Sequence, residues 1–398
     1  MVIGLDIGTS SVKGVLLDEK ARLLAQAEHP HTPRHPQPGW AEEDPEDWWR
    51  GAVAVLRELA GVGGGRIAGL GVSGMVPALV LHDAEGWVLR LSIQQNDARA
   101  VQEIAELRRL YAEETLFART GATWNQQVVA PKLLWLKRHE PEVFARLRWL
   151  SGSYEHIVFR LSGARYSEAN WALESGMWDP QRQEWLEDLL ELVGLSPGVL
   201  GPVRFPQEVV GRLSPQAAAL TGLREGLPVI AGSADHIAAA LAAGLRQEGE
   251  AVIKLGSAGD FLYLSRHFAP LRELYIDYHD LPGLFVLNGC MASSGTLLEW
   301  FRRHFRPGQS FALLDKEASG VPPGAHGLVV LPYFLGEKTP FSDPLARGSL
   351  LGLSLHHTAA HLYRALLEAV AYAFRHHVEV LEAYGHRVER FLVMDGGA

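Results

Sequence analysis

Cysteine is nearly missing from this chain. Cys290 stands alone among 398 residues, which excludes a disulfide framework and a zinc cluster built from cysteines. No apolar run approaches the roughly 20 residues that span a bilayer, and the longest, such as 237–245, fall well short. The opening Met1-Val2-Ile3-Gly4-Leu5-Asp6 has no basic region ahead of an apolar stretch, so it is no signal peptide. Lysine is scarce beside arginine, and cations as a whole are outnumbered: 37 Lys and Arg face 46 Asp and Glu, a net charge of −9. An anionic protein offers no attractive field to nucleic acid or to an acidic membrane surface. Two motifs are missing as well. No Gly-x-x-x-x-Gly-Lys-Ser/Thr string occurs, which sets aside a P-loop site, and no glutamate follows His357, so His357 and His361 lack the zinc-protease pattern.

What is present points to a folded enzyme. Hydrophobic residues make up 47% and charged residues 21%, the balance of a globular protein rather than a disordered one. Single cores stop growing at roughly 250–300 residues, so this length implies two domains. A cytoplasmic location is expected, and a homodimer remains open.

The apolar pattern places short strands at 2–5, 12–17 and 23–27, and a helix beginning at Asp44-Pro45-Glu46. A glycine-dense loop is expected over 61–65, strands over 67–72 and 79–81, and mostly helix from 101 to 158. A strand at 227–231 and a small-residue helix at 235–245 follow. Strands at 252–255 and 261–264 then flank Gly256-Ser257-Ala258-Gly259, which repeats the strand–loop–strand of the N-terminus. Thr358 begins a helix that Gly385 stops, and a last strand at 391–394 opens onto Asp395-Gly396-Gly397. The fold class is α/β with a duplicated architecture, divided into 1–243 and 244–398.

Asp6-Ile7-Gly8-Thr9-Ser10-Ser11-Val12-Lys13 carries the sharpest chemistry. A tight turn at Gly8 lets backbone N–H groups approach a phosphate, Thr9, Ser10 and Ser11 add hydroxyls, and Lys13 adds positive charge. Asp6, at the strand end, suits a Mg²⁺ ion held through water. Gly256-Ser257-Ala258-Gly259 offers the same chemistry more weakly. Gly69-Leu70-Gly71-Val72-Ser73-Gly74 matches a dinucleotide pattern, but Pro77 disfavours the helix that pattern needs, so these glycines are expected in a strand packed on a neighbour. Asp235 lies between a buried strand and a helix. It is either a general base or a helix cap, and spacing does not choose. Gln94-Gln95-Asn96-Asp97 with Arg99, and Trp124-Asn125-Gln126-Gln127, suit polyol recognition or ordinary loop polarity equally well. His29, His31 and His35 are expected in a Pro-rich surface loop.

Further stretches join these: Gly39-Trp40-Ala41-Glu42-Glu43-Asp44-Pro45, Asn96-Asp97-Ala98-Arg99, Ala130-Pro131-Lys132-Leu133-Leu134-Trp135, Leu331-Pro332-Tyr333-Phe334-Leu335-Gly336 and Gly348-Ser349-Leu350-Leu351-Gly352-Leu353. In this order, along the whole chain, they resemble the FGGY carbohydrate kinases of the actin-like ATPase superfamily, and within them the xylulokinases. The resemblance implies two ribonuclease-H-like domains with a cleft between them, and ATP-dependent phosphorylation of a sugar or polyol hydroxyl with Mg²⁺. It makes Asp235 the general base and Asp6 the organiser of Mg²⁺. Thr9, Ser10, Ser11, Lys13, Gly256 and Ser257 would hold phosphates, and Gly295, Gly397 and Ala398 would line the nucleoside end. Substrate contacts are expected at Met75, Val76, Asn96, Asp97 and Asp235.

Three departures fall in the sugar half. Met75-Val76-Pro77-Ala78 stands where the xylulokinases carry Gln-Met-His-Gly, Gln95 where a tryptophan precedes Asn96, and Val129 where Ser or Thr precedes Ala130. A ketopentose such as xylulose is therefore expected beside ribulose, gluconate or a tetritol, and a non-catalytic sugar- or nucleotide-binding relative stays open. Asp395-Gly396-Gly397-Ala398 resembles the start of the adenosine motif, after which related kinases continue. The sequence is thus expected to stop inside its second domain, as a truncated or partly ordered product.

Overall fold

The computed structural model describes residues 1–396 and divides into two compact units, the first Met1–Ala239 and the second beginning at Ala240. In the first unit, alternation of apolar residues puts Ile3, Leu5 and Ile7 of strand β1 (Val2–Ile7) into the core. A tight turn returns the chain as β2 (Ser11–Leu17), antiparallel to β1, and β3 (Leu23–Pro30) pairs antiparallel with β2. Helix α1 (Pro45–Gly63) starts as its sequence dictates: Asp44 accepts the Glu46 N–H at 3.0 Å and proline fills the first turn. It lies directly on β2, close enough that a Cβ at Gly14 would sit 2.4 Å from Val55.

The helix runs further than expected. Residues 61–63 stay helical and a 3₁₀ turn covers Gly64–Arg66. Burial of Leu59 and Ala60, and of Gly63 against Ile67, outweighs the roughly 1 kcal/mol that glycine costs a helix. Strand β4 (Leu70–Gly74) runs parallel to β1, and its glycines serve close packing as expected. A Cβ at Gly71 would meet Ile230 at 3.2 Å, and one at Gly74 would meet Ser153 at 2.7 Å. The stretch after it is mainly helical, including α2 (Val129–His139) and α3 (Ser153–Ser162). Strands β5 (Val209–Arg212), β6 (Pro228–Ile230) and β7 (Ser233–Ala234) complete a seven-stranded sheet of order β5-β6-β4-β1-β2-β3, with β7 also paired to β4. Helix α4 (Asp235–Ala243) follows β7 without a break.

The second unit repeats this plan. Strands β8 (Glu250–Leu255) and β9 (Gly259–Ser265) form a hairpin, followed by β10 (Tyr275–Tyr278) and β11 (Phe285–Met291). Helices α5 (Gly295–Phe305) and α6 (Ala359–Ala383) bury Phe301, Tyr363, Leu366 and Phe374 in one core with Phe261 and Leu287. Thr358 precedes α6 as expected, and His361 reaches back to its backbone N–H at 3.2 Å. Strand β12 (Arg390–Met394) closes the order β10-β11-β9-β8-β12. In both units the first strand has an antiparallel hairpin partner on one side and a parallel strand on the other. That is the duplicated ribonuclease-H-like plan. Among the described residues, no helix is long and apolar enough to cross a membrane.

Candidate functional site

In the first unit, three strands end side by side. Asp6 of β1 pairs in register with Ser73 of β4, and Ser73 pairs with Ser233 of β7, one residue before Ala234 and α4. Strands are spaced about 4.8 Å apart, so Asp6 and the strand leading to Asp235 lie ~10 Å apart across β4. Ser73 Oγ donates to Asp6 Oδ1 at 2.8 Å, fixing the carboxylate. The Asp235 side chain is 44% exposed, and its Oδ1 accepts the His236 backbone N–H at 2.6 Å. Parallel strand ends of this kind present their side chains to solvent and ligand.

The turn between β1 and β2 is closely specified. Gly8 N–H donates to Ser11 O at 3.1 Å, and His31 N–H donates to Ser10 O at 2.9 Å. Thr9 and Ser10 are exposed, whereas Ser11 is buried at the start of β2. Lys13 pairs opposite Asp6, so the two share a face of the sheet, and its exposed ammonium lies 3.9 Å from Glu28. Thr9 Oγ1 reaches Met75 Sδ at 4.0 Å. Met75 and Val76 are each only 3% exposed, and Ser153 Oγ donates to the Met75 carbonyl at 2.8 Å.

The corresponding turn in the second unit joins β8 to β9 through Gly256, Ser257 and Ala258. The start of α5 holds it: Gly295 N–H donates to Gly256 O at 2.9 Å, and the Ser294 and Thr296 N–H groups donate to Ser257 O at 3.0 and 3.1 Å. A Cβ at Gly295 would lie 2.7 Å from Gly256 O, so the close approach requires glycine. Asp395, in the left-handed region at φ 74°, brings Oδ2 to 3.1 Å from where a Gly256 Cβ would stand. Gly397 and Ala398 lie outside the described residues.

The amide-rich stretches meet: Gln127 Nε2 donates to Gln95 Oε1 at 3.2 Å. Beneath them Lys132 is fully buried, donating to the carbonyls of Gln94 and Gln95 at 2.9 and 3.2 Å, and burial pulls its ammonium down to about 7. Asp97 is buried too. Its carboxylate accepts the Ala41 N–H at 2.6 Å and Arg99 Nε at 2.8 Å; burial opposes its charge, but Arg99 holds it below the usual carboxylate range. Asp97 therefore holds this loop in place, while neighbouring Asn96 is exposed and helps line a cavity of about 460 Å³ beside Trp40 and Gly39. Trp124 does not offer an indole face. It is 2% exposed and donates from Nε1 to Tyr111 O, because the turn after the Glu113–Thr120 helix folds it inward.

The family model of the FGGY carbohydrate kinases matches in both its parts, the N-terminal domain over residues 1–242 and the C-terminal domain over 251–398. The chain belongs to the FGGY family of carbohydrate kinases. It is 31% identical to the xylulose kinase of Bacillus subtilis (strain 168), covering 100% of this chain and 80% of that relative. It is also 31% identical to the xylulose kinase of Escherichia coli (strain K12), covering 100% of this chain and 82% of the other. The crystal structure of xylulose kinase from Rhodospirillum rubrum superposes with a TM-score of 0.95 at 48% identity, over 100% of this chain and 82% of that one.

As an FGGY kinase with the two-unit actin-like ATPase fold, the protein phosphorylates a sugar at the cost of ATP. One residue of the kinase was missed by reading the sequence. His31 does not belong to a surface loop: its side chain is 3% exposed, and Nε2 donates to Gly8 O at 2.9 Å. Its position in the sequence gave no signal, since the β2–β3 pairing alone carries it to a loop 23 residues away. His29 lies in β3, and His31 just beyond its end. His357 precedes α6 and His361 lies in its first turn, both half-buried, and His361 Nε2 is 3.0 Å from His326 Nδ1.

Proposed function

We propose that the substrate is a ketopentose, xylulose in the first instance, and that Asp235 takes the proton from the hydroxyl that attacks the γ-phosphoryl group of ATP. The substrate reading rests on whole-chain relatives that are xylulose kinases. The mechanistic reading rests on one observation: the register Asp6–Ser73–Ser233 gathers an oxygen donor set at the strand ends beside the helix that Asp235 opens.

Asp6 is assigned to Mg²⁺ through water. The donors there, a carboxylate and the Ser73 hydroxyl, are hard oxygen ligands of the kind that cation takes. When bound, Mg²⁺ supplies charge neutralisation on the phosphates. Thr9, Ser10, Ser11 and Lys13 are assigned to phosphate in one unit, and Gly256 and Ser257 in the other, with Gly295 assigned to the nucleoside end. Phosphoryl transfer is mostly positioning and charge neutralisation, so a base, a metal ligand and anion-binding turns suffice. Asn96 and the Met75-Val76 wall are assigned to the sugar. A cytoplasmic setting suits a reaction that draws on ATP.

A second reading keeps the chemistry and changes the sugar. Pro77, buried, stands where the resemblance expects an imidazole, which favours another open-chain polyol or a sugar acid. ADP release measured over D-xylulose, L-xylulose, D-ribulose, gluconate and erythritol decides between them. The highest kcat/KM is expected with D-xylulose. A higher value with another substrate selects the second reading, and no release above the ATPase background would leave only a binding protein.

A further inference from the structure

The buried pair His31 and Glu43 has no part in the chemistry above, yet it stands directly behind the Gly8–Ser10 turn. His31 grips that turn twice, by its backbone N–H to Ser10 O at 2.9 Å and by its ring to Gly8 O at 2.9 Å. A carbonyl only accepts, so Nε2 carries the proton, and Nδ1 is left facing Glu43 Oε2 at 3.7 Å. Glu43 is 1% exposed and accepts from Trp48 Nε1 at 2.8 Å, in the residues that lead into α1. The imidazole is thus wedged between a rigid helix and a turn.

The peptide unit explains why the grip matters. The bond between Gly8 and Thr9 is planar and trans, so the Gly8 carbonyl and the Thr9 N–H point in opposite directions. Fixing the carbonyl on His31, on the inner side, aims the Thr9 N–H outward, where Thr9 and Ser10 are exposed. Without that donor, a half-buried carbonyl loses its partner and the peptide is free to rotate. We propose that His31 is a positioning residue for ATP, holding the Gly8–Thr9 peptide so that the turn presents its N–H and hydroxyl groups to phosphate. This rests on the assignment of that turn to phosphate made above.

Gln and Met have nearly the same shape and differ in a terminal donor that reaches where His Nε2 stands. His31→Met is expected to raise the KM for ATP about tenfold, the size of one lost buried hydrogen bond, with the sugar KM within about twofold. His31→Gln is expected to keep the ATP KM within about twofold of wild type. If His31→Met does not fold, His31→Asn, polar but too short for Gly8, is expected to show the same rise. A merely structural role would move both KM values and kcat together, and Gln would not rescue selectively. Ser10→Ala separates the two levels. If Ser10→Ala raises the ATP KM while His31→Met and His31→Asn leave it unchanged, the role of His31 is overturned and the phosphate turn stands. If none of them moves it, the phosphate assignment itself falls.

Discussion

The Gly8 turn and the Gly256 turn occupy equivalent places in two copies of one fold and are braced by different means. In each, the first strand runs into a tight hairpin, with a parallel strand ending alongside: β4 beside β1, and β12 beside β8. The Gly256 turn is held by backbone, three N–H groups around the start of α5 reaching two carbonyls. The Gly8 turn is held partly by a side chain, the His31 ring, with the buried carboxyl of Glu43 behind it. A helix N-terminus has unpartnered N–H groups to offer, so it can brace a loop through the main chain alone. An imidazole does so only while that residue is present in the right tautomer. The second support therefore asks only for main chain and a glycine at 295, while the first hangs on one imidazole.

The largest expected effect asks which turn lies beside the chemistry. Asp235→Asn is expected to lower kcat at least about a hundredfold, the worth of a general base, with the sugar KM largely kept. Asp395→Asn, beside the second turn, is expected to cost about tenfold or less. Steady-state kinetics of the two variants compares the units directly. If Asp395→Asn has the greater effect, the base does not belong to the first unit.

How much of this was legible in the sequence follows from range. The hairpins, the helix after Asp44 and the strand of close-packed glycines at 70–74 are encoded by neighbours: apolar alternation, a capping residue, proline. The glycines at 61–63 misled because tertiary burial of Leu59 and Ala60 keeps α1 going where local preference would end it. His31, Lys132 and Trp124 were misread or unread because their surroundings come from other elements. A buried lysine under two carbonyls of a distant loop looks like any helical lysine until the fold closes over it.

Titration is the next difference. Burial pushes the Glu43 carboxyl up to about 8, with Asp47 adding to the rise and Trp48 opposing it. The folded state thus keeps a proton that the unfolded chain loses near 4.5, and stability falls as pH rises between those values. Burial lowers His31 below 6.5, an effect confined to more acid pH. From pH 6.5 to 8, then, wild type should lose up to about 2 kcal/mol relative to Glu43→Gln, about 1.4 kcal/mol per unit. Urea midpoints at the two pH values measure it. Parallel curves would show that Glu43 does not titrate there.

The backbone-braced turn should resist side-chain changes and fail only where a Cβ is added. Gly295→Ala places that atom 2.7 Å from the Gly256 carbonyl, a backbone group that cannot swing away. Overpacking costs about 1–3 kcal/mol, so a rise of about tenfold in the ATP KM is expected, against no more than about twofold for Thr296→Ala, whose backbone N–H survives. Equal effects would mean that the Thr296 hydroxyl, 2.9 Å from Ser257 O, matters as much as the main chain.

The smallest effect concerns Lys13, the cation of the Asp6–Lys13 stretch. It is well exposed, its partner Glu28 is 3.9 Å away and equally exposed, and water and salt screen such a charge. Lys13→Ala is therefore expected to raise the ATP KM only about two- to threefold, and less at high salt. Both turns would then hold phosphate chiefly through backbone and hydroxyl groups, differing in their supports rather than in their contacts. A tenfold loss that vanishes at high ionic strength would instead make the first turn an electrostatic site and the second a geometric one.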